Sequence, residues 1–121
     1  MSSRPRRGVR ASVVALRFAL LWALIAASGC ATWHASRLYQ RGTASLDAGR
    51  PAQAIVDLEA AADLVPFASE VQNHLGLAYV AAGRDGAGLH AFQRAVALDC
   101  RNSAAQANLA AARAHAHASA P

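Results

Sequence analysis

A unit of 34 residues occurs twice in this chain, at 35–68 and at 69–102, and the opening of a third copy follows it. Shifting the chain by one period lays Gly42 on Gly76, Ala44 on Ala78, Gly49 on Gly83, Ala61 on Ala95 and Leu64 on Leu98. Leu46 with Val80, Ile55 with Leu89 and Leu58 with Phe92 are chemically similar pairs at the same offset. A fixed period of this length belongs to architectures in which one unit cannot bury its own apolar face and stacks on a neighbour. The chain is therefore expected to be a stack of helical units, with its function in the surface of the stack.

The second copy reads Leu75, Gly76, Tyr79, Gly83, Phe92 and Ala95 in order. These residues and spacings resemble the tetratricopeptide repeat, in which each unit is a pair of antiparallel helices. The first copy keeps Gly42, Gly49, Ala54, Ala61 and Pro66, but has Arg41 and Ser45 where the pattern has Leu and Tyr. Further departures are Gln72 at a Trp-like position, Gly88 for Ala and Cys100 for Pro. The resemblance runs from Ala35 to about Arg113 and implies an all-α fold: two helix-turn-helix units, 35–68 and 69–102, and a capping helix at 103–115, forming a short right-handed α-solenoid. Residues 116–121 read as a disordered tail.

Local signals set the helix boundaries. Five helices are expected at about 33–48, 51–64, 69–82, 85–99 and 103–115. Pro51 suits a first turn, where its missing N–H costs nothing, and Gly49 permits the turn before it. Ser69 with Gln72 makes a capping-box pattern after Pro66. Asp85 is placed to cap the fourth helix, and Asn102 or Ser103 the fifth. Gly86 and Gly88 each weaken the fourth helix by about 1 kcal/mol relative to Ala, unless they let two helix backbones approach closely. Two units and a cap are near the minimum for an independent stack, so marginal stability is expected, with self-association or a permanent partner as its relief.

The formal charge of +5 is unevenly spread. Five of the twelve arginines precede residue 18, where there is no acid, whereas from Cys30 onward seven arginines meet seven acids. The repeats thus lack the basic footprint of a nucleic-acid binder, and no nucleic-acid partner is expected.

Residues 1–29 read as an export signal: an Arg-rich start, an apolar run from Phe18 to Ala27, and small residues before Cys30. The uncharged stretch between Arg17 and His34 is 16 residues, short of the roughly 20 that span a bilayer as a helix. The ending Ala-Ser-Gly-Cys resembles a bacterial lipobox. That resemblance implies lipidation of Cys30, a tether at 30–34, and, with Ala31 following, the outer membrane facing the periplasm. The alternative is an uncleaved membrane helix. Trp33 suits either a headgroup region or packing beneath the first helix.

No residue set suggests catalysis or a metal, and no cofactor is expected. His115 and His117 stand two residues apart, on different sides of a helix. Asp57, Glu59 and Asp63 read as a solvated helix face. Cys30 and Cys100 could pair in an oxidising compartment, but a lipidated Cys30 leaves Cys100 single, filling the Pro position at a helix end. The resemblance implies a concave groove lined by the first helix of each unit, with Tyr39, Thr43, Leu46 and Asp47 from one and Asn73, Leu77 and Val80 from the next. Such a lining suits an apolar peptide. The carboxylate clamp of chaperone-binding members is not expected, since the chain has no Lys and carries Leu77 at an Asn position. The expected function is that of a non-catalytic, lipid-anchored adaptor holding a protein partner in an envelope machine. The alternative is a structural subunit of an envelope oligomer.

Overall fold

The computed structural model describes residues 7–118, with side chains for 13–23 and from 31 onward. Five helices account for nearly all of the described residues: α1 Arg7–Asp47, α2 Pro51–Leu64, α3 Ser69–Ala81, α4 Asp85–Leu98 and α5 Ser103–Ala118. The last four follow the expected boundaries closely. The first does not: α1 was expected to begin near residue 33 and instead begins at Arg7, and α5 continues three residues beyond its expected end. The chain divides into two compact units, Met1–Ala31 and Thr32–Pro121. In the first, Val13, Val14, Leu16, Phe18, Leu20, Leu21 and Trp22 all stand exposed.

Within Thr32–Pro121 the 34-residue period reappears in the hydrogen bonds. Gly49 and Gly83 both adopt positive φ, 67° and 73°, the left-handed conformation that costs a side-chain-bearing residue about 1–2 kcal/mol. Gly49 N–H donates to Leu46 O at 3.0 Å and Arg50 N–H to Ser45 O at 2.9 Å. One period on, Gly83 N–H donates to Val80 O at 2.9 Å and Arg84 N–H to Tyr79 O at 2.8 Å. Each turn thereby satisfies carbonyls that the helix end leaves without a partner, and reverses the chain into the next helix.

Glycine also sets how closely the helices of a unit pack. A Cβ at Gly42 would lie 2.7 Å from Leu58 Cγ, and one at Gly76 would lie 2.5 Å from Phe92 Cε1. The two contacts are the same contact, one period apart. At Gly88 a Cβ would lie 2.6 Å from Val80 Cγ2 and 3.1 Å from Gly76 O, so the close-approach reading of this residue holds. Gly86 has open space around it and simply weakens the first turn of α4.

The core is Ala-rich. Ala54, Ile55, Leu58, Leu75 and Ala78 form one buried cluster, against which Tyr39, Leu46 and Tyr79 pack. Ala61, Ala62 and Val71 form a second, with Leu38, Tyr39 and Val65 beside it. Small side chains bring the helix axes together but remove little apolar area per residue, so the stability of the stack rests on a few larger contacts. Three capping expectations have different outcomes. Asn102 caps α5, its Oδ1 accepting from Ala105 N–H at 3.0 Å. Ser69 makes no cap: the N-cap of α3 is Ala68, and Ser69 Oγ donates instead to Ala95 O at 2.8 Å and accepts from Asn102 Nδ2 at 2.9 Å. That hydroxyl satisfies the carbonyl of a residue near the end of α4, a longer-range use than the local pattern suggests. Asp85 is the first residue of α4 rather than its cap, where its charge complements the helix dipole.

Candidate functional site

The groove is built by α1, α3 and α5, the first helices of successive units. Tyr39 Oη lies 3.1 Å from His74 Nδ1, their rings edge to face with centroids 5.2 Å apart. One period later Asn108 Nδ2 donates to Asn73 Oδ1 at 2.9 Å. Residues 39 and 73, and residues 74 and 108, are repeat equivalents, so a single polar contact joins successive groove helices at both junctions. Tyr39 also donates to Glu70 Oε1 at 3.5 Å, and burial, reinforced by the Glu70 charge, raises its phenol pKa above the usual value. Asn73 is 2% exposed. Tyr39 and Asn73 are therefore joints between helices, and the solvent-facing surface of the groove comes from other positions.

Among those positions, Thr43 is half-buried and its Oγ1 donates to Gln40 O at 3.0 Å. Leu46 packs on the first core cluster, and Asp47 ends α1 in solvent. Leu77 and Val80 line a pocket of about 430 Å³ whose other walls come from α4 and α5. The structure thus brings Leu77 and Val80 together at one cavity, joins Tyr39 to the core, and leaves Thr43 and Asp47 near the end of α1. Of Cys30, expected to carry a lipid, only the backbone within α1 is described; its side chain lies outside the described residues. Cys100 is a free, exposed thiol rather than a packed substitute for Pro.

Of the two departures of the first unit from its pattern, Arg41 is matched by a partner on α2. Arg41 Nε donates to Asp57 Oδ2 at 2.9 Å, and Arg41 Nη2 pairs with Asp57 Oδ1. One period later the same two positions hold Leu75 and Ala91, both buried. Two buried apolar residues in one unit thus stand at the positions of an ion pair in the other. Asp57, expected on a solvated face, is 1% exposed, and the guanidinium holds its carboxyl below the ordinary range against the opposing effect of burial. Ser45 is buried where its equivalent Tyr79 reaches outward to donate to Glu59 Oε1 at 2.5 Å. The Arg84 guanidinium carbon stands 4.7 Å from the Tyr79 ring centroid. Burial, and then the Glu59 contact, push the Tyr79 phenol up to about 12.

Sequence reasoning passed over Phe67. It stands 83% exposed between α2 and α3, and Val56 on α2 is 60% exposed. Exposed aromatic anchors are characteristic of protein interfaces. The available signal was that Phe67 follows Pro66, outside the apolar periodicity of either helix. Trp33, 62% exposed, carries Arg37 against its ring, so it does not pack beneath the first helix.

Paired helices, a repeated turn and a repeated joint define a helical-repeat protein of the all-α solenoid type. Residues 19–115 match the family BTAD, the bacterial transcriptional activator domain, and the chain belongs to that family. It is a helical-repeat family related to tetratricopeptide-like solenoids. No curated protein matches the chain.

Membership in that family corrects the envelope reading. The match opens at residue 19, inside the segment assigned to a removed export signal, so the same residues cannot serve both readings. The lipoprotein and outer-membrane assignment, the periplasmic adaptor role and the lipid-anchored membrane partner are set aside. So is the exclusion of nucleic acid, since the family points to transcription, where DNA and protein are both partners. No described helix is long and apolar enough to cross a membrane. An Arg-rich start followed by an apolar run reads alike as a leader and as a helix that carries its apolar side chains to a partner, and composition alone does not separate the two.

Proposed function

We propose that the chain is a non-catalytic protein-interaction module of a bacterial transcriptional activator, built from tetratricopeptide-like units whose groove holds a protein partner in the transcription complex. The observation that carries this reading is that the family match extends over the whole repeat stack, from α1 to α5. The groove supports it: its helices are locked to one another by the joints at Tyr39 and Asn73, leaving a rigid surface on which Thr43 and Asp47 are available. Phe67 adds an aromatic anchor outside the groove.

The test is a reporter strain in which the full chain is tethered to a heterologous DNA-binding domain upstream of a promoter. Transcription is expected to rise, and Thr43→Arg with Asp47→Arg is expected to abolish the rise at unchanged melting temperature. A reporter that stays at background, together with crosslinking in cells that recovers no component of the transcription apparatus, would overturn the reading.

A further inference from the structure

The two junctions of the stack are equivalent in sequence position and different in filling. At the first, Ile55 is 7% exposed and Leu58 and Ala78 are fully buried, with Leu46 packed against them. Their equivalents at the second junction are Leu89, Phe92, Ala112 and Val80. Phe92 is buried, but Leu89 and Ala112 are only half-buried and Val80 is 41% exposed, and together they line the pocket of about 430 Å³. The cause is the third copy. Where α3 carries Leu77, α5 carries Ala111, and the small side chains of Ala111 and Ala112 leave the space beside Val80, Leu89 and Phe92 open.

The pocket has the size of a small-molecule site, for which roughly 300–1,000 Å³ is usual. Leu77, Val80, Leu89 and Phe92 make an apolar floor, and Ala111 and Ala112 make the wall on α5. Its rim is polar. Asp85 and His115 face each other there at 3.8 Å, a separation at the limit of an ion pair, and the Asn108 amide is already held by Asn73. The lining includes a carboxylate and no Arg. Covering this apolar lining removes it from water, so a hydrocarbon body of matching size is favoured there.

We infer that this pocket binds a small arylalkylammonium ion, its aromatic body among Leu77, Leu89 and Phe92 and its ammonium group at the Asp85 carboxylate. The walls belong to three helices, so an occupant fastens α5 to the second unit and stabilises the stack by mass action. The pocket shares Leu77 and Val80 with the groove, but Thr43, Asp47 and Phe67 do not line it, so the ligand test and the reporter test can fail separately.

Three probes of one shape separate the contributions: 4-phenylbutylamine, the neutral butylbenzene and the anionic 4-phenylbutyrate. Each is titrated into the full chain and followed by NMR chemical shifts and by the melting temperature. The amine is expected to saturate with shifts centred on Leu77, Leu89 and Ala112, about fivefold more tightly than butylbenzene, which is the scale of an exposed ion pair. Asp85→Asn should reduce the amine to the affinity of butylbenzene. Ala111→Leu, at an exposed position that tolerates the larger side chain, should abolish binding of both while the spectrum stays that of the folded chain. Absence of saturation with all three probes would overturn the site, as would undiminished binding to the Ala111→Leu protein. Equal affinities for amine and carboxylate, or an amine affinity that ignores Asp85→Asn, would overturn the ammonium assignment.

Discussion

The first unit of the stack is closed by an ion pair where the second is closed by hydrocarbon. Arg41 on α1 and Asp57 on α2 meet at the positions occupied one period later by Leu75 on α3 and Ala91 on α4, which are both buried. Each solution keeps the helices in register. They differ in what happens when one member is removed. An apolar pair loses contact area in proportion to what is cut away. A buried carboxylate that loses its guanidinium keeps its charge and its desolvation cost, although here the Arg41 side chain is 65% exposed, so solvent screens part of what the pair contributes. The two units therefore share a geometry and not a tolerance for change.

The largest expected effect follows directly. Arg41→Leu alone should lower the urea midpoint, because Asp57 stays buried with its charge and loses its guanidinium partner. Arg41→Leu together with Asp57→Ala installs the residues of the second unit and should bring the urea midpoint back to that of the wild type or above it. The pair also sets a pH dependence. The folded-state pKa of Asp57 is depressed, so its contribution is complete above the unfolded value of about 3.9 and is lost as pH falls from there through the folded value. The wild type should lose stability across that acid window, and the double variant should lose less. A double variant as unstable as Arg41→Leu would mean that the first unit cannot accept the packing of the second.

Much of this was readable in the chain. The period, the turns at Gly49 and Gly83, Pro51 at the start of α2 and Asn102 before α5 are signals confined to a few residues, and local physics decides each of them. The Arg41–Asp57 pair was not readable, because its members are 16 residues apart on different helices, and singly Arg41 looks like a departure from the repeat and Asp57 like part of a solvated face. Ser69 misled for the same reason: its sequence neighbours offer a cap, while the carbonyl it satisfies belongs to Ala95, 26 residues away. Tyr39 and Asn73 were placed on the correct helices, but groove surface and helix joint lie on one face, and periodicity does not divide them. The start of α1 was obscured because the helix crosses the small residues that otherwise mark the end of a leader.

A second comparison sets Gly76 against Gly86, one in a tight contact and the other in open space. Gly76→Ala puts a methyl 2.5 Å from the Phe92 ring, which must move, at a cost of about 1–3 kcal/mol. Gly86→Ala meets nothing within 4 Å and gains helix propensity, so it should stabilise by about 0.5–1 kcal/mol. Opposite signs are the expected result in thermal unfolding of the two variants. Stabilisation by both would mean that Phe92 has room to withdraw and that the glycine contact does not set the spacing of the helices.

The smallest expected effect concerns Ser45 and Tyr79, repeat equivalents of which only the second reaches a carboxylate. Tyr79→Phe removes the hydrogen bond to Glu59 and leaves the ring beneath Arg84, so the loss should be about 1 kcal/mol at neutral pH. Its signature lies in alkali. The folded-state pKa is raised to about 12, so the contribution of the phenol is complete below the unfolded value of about 10 and is lost as pH rises from there toward 12. Between those limits the stability of the wild type should fall more steeply than that of Tyr79→Phe. The two curves should converge at the alkaline end, where the wild-type phenol has lost its advantage. Parallel curves would mean that Tyr79 is no better shielded than an exposed phenol, and that what distinguishes it from Ser45 is the area of its ring and not its contact with Glu59.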